Sequence, residues 1–547
     1  MTSTQETPTW VAPGPGSWRL DASHAPPNPT PIYQRMTVVS IETGLTTALE
    51  RYGAPLAGVQ VRFIRGKFYM RLVPLVGGDK DRKPPPAAVL WLASRLHPAF
   101  RRRTRVAREA FGAKAWKVHL EKWYREDRDR YRAENLRMQA EDPASLDDHG
   151  LADHTERMYE AVVRGAIHHH ELHGVDLGPV GDLLAHTTRW GIPPGDVVVA
   201  LVGASPASTE ASGELRRLGE IVADGGARPA SLDDVRALGS EASRLLDEYL
   251  ESFGWRLVTS YDLEGRTLGE MPEAILASIV ASTEPRPAVD GTAAIVGLRE
   301  RVPVEHRVLF DELMADARTV YGLRDDNGPL TVEWRLGLLR RALLEAGRRL
   351  ASRSRIGDPA HVFELDIDEV VPMLRDGSGP TADELVSRAK ERAVWATEAA
   401  PPHLGVDEGE PPLDLMPKPL ARGVAAVLAA VAAIDPPADR VPLTGTGIGL
   451  APYQGRARVA HRPEDVLATM EPGDVLVAAW TAPTYNTVLG IAGAVVTEEG
   501  GVLCHAAVMA RELGIPAVIG AQGAMAKISD GAIVEVDPVA GRVSLVG

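Results

Sequence analysis

His505 follows two glycines, Gly500 and Gly501, where a strand-like apolar run ending near Val496 gives way to a helix-like run over 505–513. Ala506, Ala507 and Ala510 keep that helix slim, Gly514 suits its C-terminal stop, and Pro516 begins the exit to the next strand. The first turn of a helix offers unpaired N–H groups and the positive end of the helix dipole, which together bind anions. A histidine placed there is biased toward the neutral, nucleophilic imidazole, and the same N–H groups can hold an anionic group that the ring collects. Taken alone, the residue fits a structural cap at least as well. A second cluster is His168-His169-His170-Glu171-Leu172-His173. On a helix His169 and His173 share a face at i, i+4, a spacing that can bind a metal, although the run is not H-E-x-x-H. The third is Arg335, Arg340, Arg341, Arg348 and Arg349, positive charge of the kind a transferring phosphoryl group needs. For most of these arginines, exposed helix charge in i, i+4 pairs with Glu345 is the plainer reading.

Three kinds of segment must position these residues. Residues 1–35 are rich in Pro and Gly and are expected to run extended over a surface; Val59–Ile64 and Phe68–Leu72 alternate as strands around a turn at Gly66. Residues 86–395 read as mostly helical, with clear periods at 238–253 and 334–353 and breaks at 192–196, 284–291 and 324–329. The charged stretch 101–141, opening on Arg101–Arg105, reads as one solvated helix, or less plainly as a docking patch. Residues 396–435 form a Pro-rich linker and a helix over 419–434. Residues 436–547 alternate short strands (457–459, 475–477, 493–496, 517–519 and 533–536) with turns, one of them at 523–530, and the one clear helix. The expected architecture is therefore multidomain α+β: a small N-terminal β element at 1–85, a large helical region at 86–395, a hinge at 396–435 and a C-terminal α/β domain at 436–547. With 547 residues, two to four domains are the natural division. The formal net charge of −14 disfavours bulk binding to nucleic acid or anionic membrane. Cys504 is the sole cysteine, which excludes an intrachain disulfide and suits a reducing compartment. Met1–Pro15 lacks the apolar stretch of a signal peptide, and runs such as Gly423–Ile434 are too short to span a bilayer, so a cytoplasmic protein is expected.

The segment Thr497-x-x-Gly500-Gly501-x-x-x-His505-x-Ala507-x-x-Ala510-Arg511-Glu512-x-Gly514-Ile515-Pro516-Ala517-Val518 resembles the swivelling phosphohistidine domain of the phosphoenolpyruvate-utilising enzyme family. Upstream, Gly473–Val477 with Thr481-Ala-Pro483, and Gly449–Val459, resemble further parts of that domain. More faintly, Pro13–His24, Ala346–Leu350 and Asp358–Phe363 resemble the acceptor-binding part of the rifampin phosphotransferase group. The resemblance implies a swivelling β/β/α domain in which His505 carries the phosphoryl group, with Thr497, Gly500, Gly501 and Cys504 around the phosphate. Cys504 stands where the family usually has Ser, and a thiol bonds phosphate less well than a hydroxyl.

No Walker A pattern, ATP-grasp region or phosphoenolpyruvate barrel is recognisable, so ATP and Mg²⁺ are expected at a separate ATP-grasp subunit, as in split enzymes of the phenylphosphate synthase type. The implied reaction moves a phosphoryl group from ATP through His505 to a hydroxyl of a small organic acceptor, such as a phenol, leaving AMP and phosphate. The 396–420 linker would serve as the hinge. Arg335 is the favoured cation for the transferring group, and His170 or His173 the base for the acceptor. A partner fed by phosphoenolpyruvate and a non-catalytic regulatory or scaffold protein are the alternatives. No cofactor or metal is assigned to the chain itself, and neither nucleic acid nor membrane is expected as a partner.

Overall fold

The computed structural model describes residues 10–21, 28–78, 80, 86–205, 207–226, 229–282, 291–406, 412–434, 441–467, 469–481 and 485–546. At the N-terminus, β1 (Ser17–Leu20), β2 (Leu56–Ile64), β3 (Lys67–Pro74) and β4 (His403–Gly405) form a sheet in the order β2-β3-β1-β4. The expected hairpin is present. Ile64 pairs with Lys67, and Arg65 and Gly66 both take positive φ (49° and 71°), the geometry of a two-residue type I′ turn. Between β1 and β2 runs the helix Pro31–Arg51, where the sequence suggests an extended stretch followed by strands. Thr30 caps it by accepting from the Tyr33 N–H at 3.4 Å, and Pro31 presets the first helical φ. Within 1–35 the one strand among the described residues is the short β1, and the part of the N-terminal resemblance at 22–24 lies outside the described residues.

The helical region is organised around one 42-residue helix, Asp148–Arg189, capped by the Asp147 carboxylate on the Gly150 N–H at 2.7 Å. The helices Pro31–Arg51, Trp334–Ser352 and Lys418–Ile434 pack along it. Two of its glycines let neighbouring backbones approach closely: a Cβ on Gly165 would lie 1.9 Å from the Thr331 carbonyl oxygen, and one on Gly181 2.0 Å from that of Ala426. The break expected at 324–329 is absent. Leu323–Gly328 runs through a wide π turn, Pro329–Glu333, into Trp334–Ser352. The wide turn accommodates a proline that would clash with the preceding turn of a regular α-helix. The charged stretch 101–141 is likewise not one solvated helix. It is divided into Pro98–Gly112, Trp116–Lys122, a π turn Trp123–Asp127 and Arg128–Ala140, and it buries Trp116, Trp123 and Tyr131. Lys114, with φ of 51°, marks the first corner. The break expected at 284–291 falls largely on residues outside those described.

Much of the expected hinge is tied down. Glu398 pairs with Arg65, Pro401 accepts from the Tyr69 hydroxyl at 2.7 Å, and β4 pairs with β1. Residues 407–411 lie outside the description, and Lys418–Ile434 lies against the long helix. The covalent link to the C-terminal sheet is thus the segment between Ile434 and β5. That sheet has seven strands, β5 (Thr446–Ile448), β6 (Tyr453–Ala460), β7 (Val475–Ala478), β8 (Ala494–Thr497), β9 (Ala517–Ile519), β10 (Ile533–Asp537) and β11 (Arg542–Leu545), in the order β11-β10-β6-β7-β8-β9-β5. Strands β6 to β9 are parallel, and β7, β8 and β9 are buried at every position, as befits strands covered on both faces. The turn expected at 523–530 contains a single helical turn, Ala524–Lys527. Leu218, Leu246 and Ile275 of the helical region share one apolar core with Val488, Ala507 and Met509 of the C-terminal domain, so the two are docked.

Gly181→Ala is expected to lower the melting temperature, at a cost of about 1–3 kcal/mol, because the new methyl overlaps main chain rather than a flexible side chain. Thermal unfolding followed by circular dichroism checks this.

Candidate functional site

The helix His505–Leu513 begins after β8 and a turn in which Gly500 takes φ of +100°. A Cβ on Gly500 would meet the Cys504 sulfur at 2.8 Å, so both the dihedral and the space demand glycine. Cys504 is the N-cap, and Gly514 closes the helix in the left-handed conformation with φ of 66°. His505 is therefore the first helical residue, in agreement with its sequence context.

Its half-buried imidazole is held at both nitrogens. The Thr481 hydroxyl lies 2.9 Å from Nδ1, and the Asn486 Oδ1 lies 2.8 Å from Nε2. Thr481 is buried in the loop after β7, whereas Asn486 is exposed at the start of the short helix Asn486–Ile491. Burial pushes the ring down to about 3, and the Arg324 guanidinium adds to the shift. The sequence points to the helix terminus as the cause of a neutral ring; the structure adds burial and the Arg324 guanidinium.

Arg324 belongs to the helical region, on Leu323–Gly328. The Asp325 and Asp176 carboxylates and the Tyr321 and Tyr261 phenols hold its pKa up against burial. It is within electrostatic reach of His505 and Cys504 on the docked domain. Nothing in the spacing of the arginines singles it out.

The expected anion cradle divides into two groups. Gly500 and Cys504 lie at the N-terminal turn. The Cys504 thiol, half-buried, is pushed up by burial, while the Ala507 and Ala506 amides act the other way. Thr497 donates its hydroxyl to the Glu499 carbonyl at 2.8 Å, which fixes the loop. The Gly501 N–H donates to the Ile434 carbonyl at 2.8 Å, and the Leu503 N–H to that of Ala433 at 2.8 Å. These two amides latch the domain onto the end of Lys418–Ile434 and are not free for a phosphate. The Glu512 carboxyl, pushed up to about 7 by burial, accepts from the Gly203 N–H at 3.2 Å and adds a second latch.

Arg335 has a different place from the one expected. It is buried, with Nε on the Asn135 Oδ1 (3.0 Å), one terminal nitrogen on the Ala161 carbonyl (2.9 Å) and the other on Glu134 (2.7 Å), over the Tyr131 ring. Each of its three nitrogens is engaged, so it braces two helices instead of facing His505. The other arginines are paired as well: Arg340 with Glu270, Arg341 with Asp142, and Arg348 and Arg349 with Glu345. His170 uses Nδ1 on the Ala166 carbonyl one turn back, at 2.6 Å. His173 places Nδ1 3.4 Å from the Asp176 carboxylate, and its ring lies 4.7 Å from that of His169. Among the described residues no group of three or more His, Cys, Asp or Glu side chains is arranged to hold a metal.

Residues 470–541 match the family described as PEP-utilising enzyme, mobile domain. The chain is 32% identical over 325 residues to the chondramide synthase of Chondromyces crocatus, covering 55% of this chain and 8% of that one. It is 26% identical over 324 residues to the rifampicin phosphotransferase of Streptomyces sviceus, covering 56% and 35%. Over 89 residues, 16% of this chain and 11% of the relative, it is 48% identical to the phosphoenolpyruvate synthase of Aeropyrum pernix. The chain thus spans about a third or less of the length of these relatives. No described helix is long and apolar enough to cross a membrane.

Arg324→Ala is expected to move the His505 titration upward from about 3, part of the way toward its ordinary 6.5, because burial remains. Ring-proton NMR against pH reads the shift. The docked ring binds its proton less readily than a solvated one, so acidification between about 6.5 and about 3 works against docking. Arg335→Ala should instead cost about 3–5 kcal/mol of stability by leaving Glu134 and Asn135 without their partner.

Proposed function

We propose, for a chain whose residues 470–541 belong to the mobile domain of the phosphoenolpyruvate-utilising enzymes, that His505 carries a phosphoryl group and delivers it to a hydroxyl held in the helical region. The observation that carries this reading is a neutral imidazole at the first turn of its helix, in the segment that matches the mobile-domain family, within electrostatic reach of Arg324 on the helical region. Residues 436–547 are then the carrier, 86–395 the acceptor-binding region with 1–85 packed beside it, and the docked arrangement is the unloading pose. The swing between poses turns on the segment after Ile434.

Nε2 is the nitrogen for the phosphoryl group, since Nδ1 is held by the buried Thr481. In the docked pose the Asn486 Oδ1 accepts from an Nε2–H and the Thr481 hydroxyl donates to Nδ1. A hydroxyl accepts as well as donates, so once Asn486 is displaced Thr481 can accept from an Nδ1–H and hold the tautomer whose Nε2 lone pair attacks. Asn486, exposed and on Nε2, gives way as the phosphoryl group arrives. The transferring group is largely dissociative in its transition state, so in-line positioning and neutralisation of its oxygens carry the catalysis. Arg324 supplies that charge at the seam between the docked regions.

ATP, bound with Mg²⁺ by a separate ATP-grasp subunit, is the donor, and AMP and phosphate are the co-products. The acceptor is a small organic hydroxyl compound, with phenol and rifampicin, the latter from the name of the Streptomyces relatives, as the first probes. His505→Ala is expected to abolish both acid-labile phosphate on the chain and product formation. Arg324→Ala should still load His505 but transfer about 10²–10³-fold more slowly. Radiolabelled ATP with the partner, against radiolabelled phosphoenolpyruvate, reads both variants and identifies the donor. Turnover by His505→Ala at the normal rate overturns the reading.

A further inference from the structure

In the histidine run on the long helix, His168 is held by the Tyr131 hydroxyl at 3.0 Å from Nδ1, and His169 by a buried amide that also fixes its tautomer. His169 Nδ1 lies 2.6 Å from the Asn327 Oδ1. Asn327 is buried, and its amide NH2 donates to the Leu323 carbonyl at 2.6 Å, which settles which amide atom faces the histidine. The oxygen must then accept from His169, so Nδ1 carries the ring proton and Nε2 carries the lone pair. Among the described residues Nε2 has no hydrogen-bond partner. The neighbouring Gly328 leaves room beside the ring: a Cβ there would lie 3.7 Å from the His169 Cε1. Asn327 and Gly328 stand immediately before the π turn Pro329–Glu333, a widening of the kind that often marks a functional position.

Arg324 relates this imidazole to the carrier. It is within electrostatic reach of both His169 and His505. We propose that His169 takes the proton of the acceptor hydroxyl through Nε2, with Asn327 as its positioning residue. This rests on the reading of His505 as carrier. It assigns the base to the one member of the cluster whose tautomer the structure fixes by a buried amide, in place of His170 and His173.

In the step, the hydroxyl O–H bond breaks and its proton passes to His169 Nε2, while the oxygen forms its bond to phosphorus. The phosphorus–nitrogen bond to His505 breaks, and its electron pair returns to the His505 ring. Burial and the His173 ring hold His169 down to about 3 in the resting site, with Arg324 adding to the shift. A phosphoryl dianion brought alongside offsets the Arg324 charge and raises the proton affinity of His169 when the proton must be taken.

The test uses the full chain, loaded on His505 with phosphoramidate, so that neither partner nor nucleotide is required. Loss of acid-labile phosphate is followed in buffer, where water is the acceptor, and with added phenol. His169→Asn keeps a side-chain donor for Asn327 and removes the base; it is expected to load normally and to discharge about 100-fold more slowly. His169→Gln, as a second replacement with different packing, should behave alike. For Asn327→Ala, ¹⁵N NMR of the His169 ring should show mixed tautomers in place of the single Nδ1–H form, together with slowed discharge. Discharge of either His169 variant at the wild-type rate overturns the assignment, as does a wild-type ring whose proton is on Nε2. A chain that takes no phosphate on His505 overturns the carrier reading, and this inference with it.

Discussion

The electrostatic coupling of a neutral imidazole to a guanidinium on the neighbouring region is the interaction on which the site depends. Water would let the His505 ring protonate; burial, with Arg324 within electrostatic reach, opposes that. The same cation that disfavours a proton on the ring favours an anionic group there. Neither effect would be large in solvent, because the interaction of charges weakens with the surrounding dielectric. Docking therefore does more than bring two groups near each other: it creates the medium in which their interaction has force.

The scaffold holds Arg324 with comparable care. The helix that carries it is interrupted by one π turn, and a second π turn at Trp123–Asp127 packs nearby. Trp123 donates its indole N–H to the Asp326 carboxylate at 2.5 Å, and Arg128 pairs with the same carboxylate at 3.0 Å. Gly165 brings the long helix against the carbonyl of Thr331. These contacts fix the backbone of the Leu323–Gly328 segment and the turn after it, from which the Arg324 side chain extends.

Legibility in the sequence follows the range of the contacts. The His505–Leu513 helix, its glycines and its αL stop are local, and five of the seven strands of the C-terminal sheet show as short apolar runs, whereas β5 and β11 do not. Arg324 acts electrostatically on His505 across a domain boundary, and no periodicity in either segment reports that coupling. Arg335 looks suitable because it is an arginine on a clear helix; only its three partners show that it is a brace. The cluster 324–329 suggests a stop because Asp, Gly and Pro usually end helices, whereas a π turn absorbs the proline here. Pro31–Arg51 escapes a sequence reading because its Thr, Val and Ile content suits a strand, and its cap and tertiary packing decide the matter. For His169 the signal lies in Asn327, which is remote in sequence and adjacent in space.

The latch formed by the amides of Gly501 and Leu503 on the carbonyls of Ile434 and Ala433 involves no side-chain atom. Any residue except proline can present those groups, so drift of the amino acids at this seam leaves the fastening intact. C-terminal domains and helical regions from diverged chains could therefore remain interchangeable at this contact, provided the loop and the helix end keep their backbone course. Side chains elsewhere on either region are then free to change without disturbing how the two are moored.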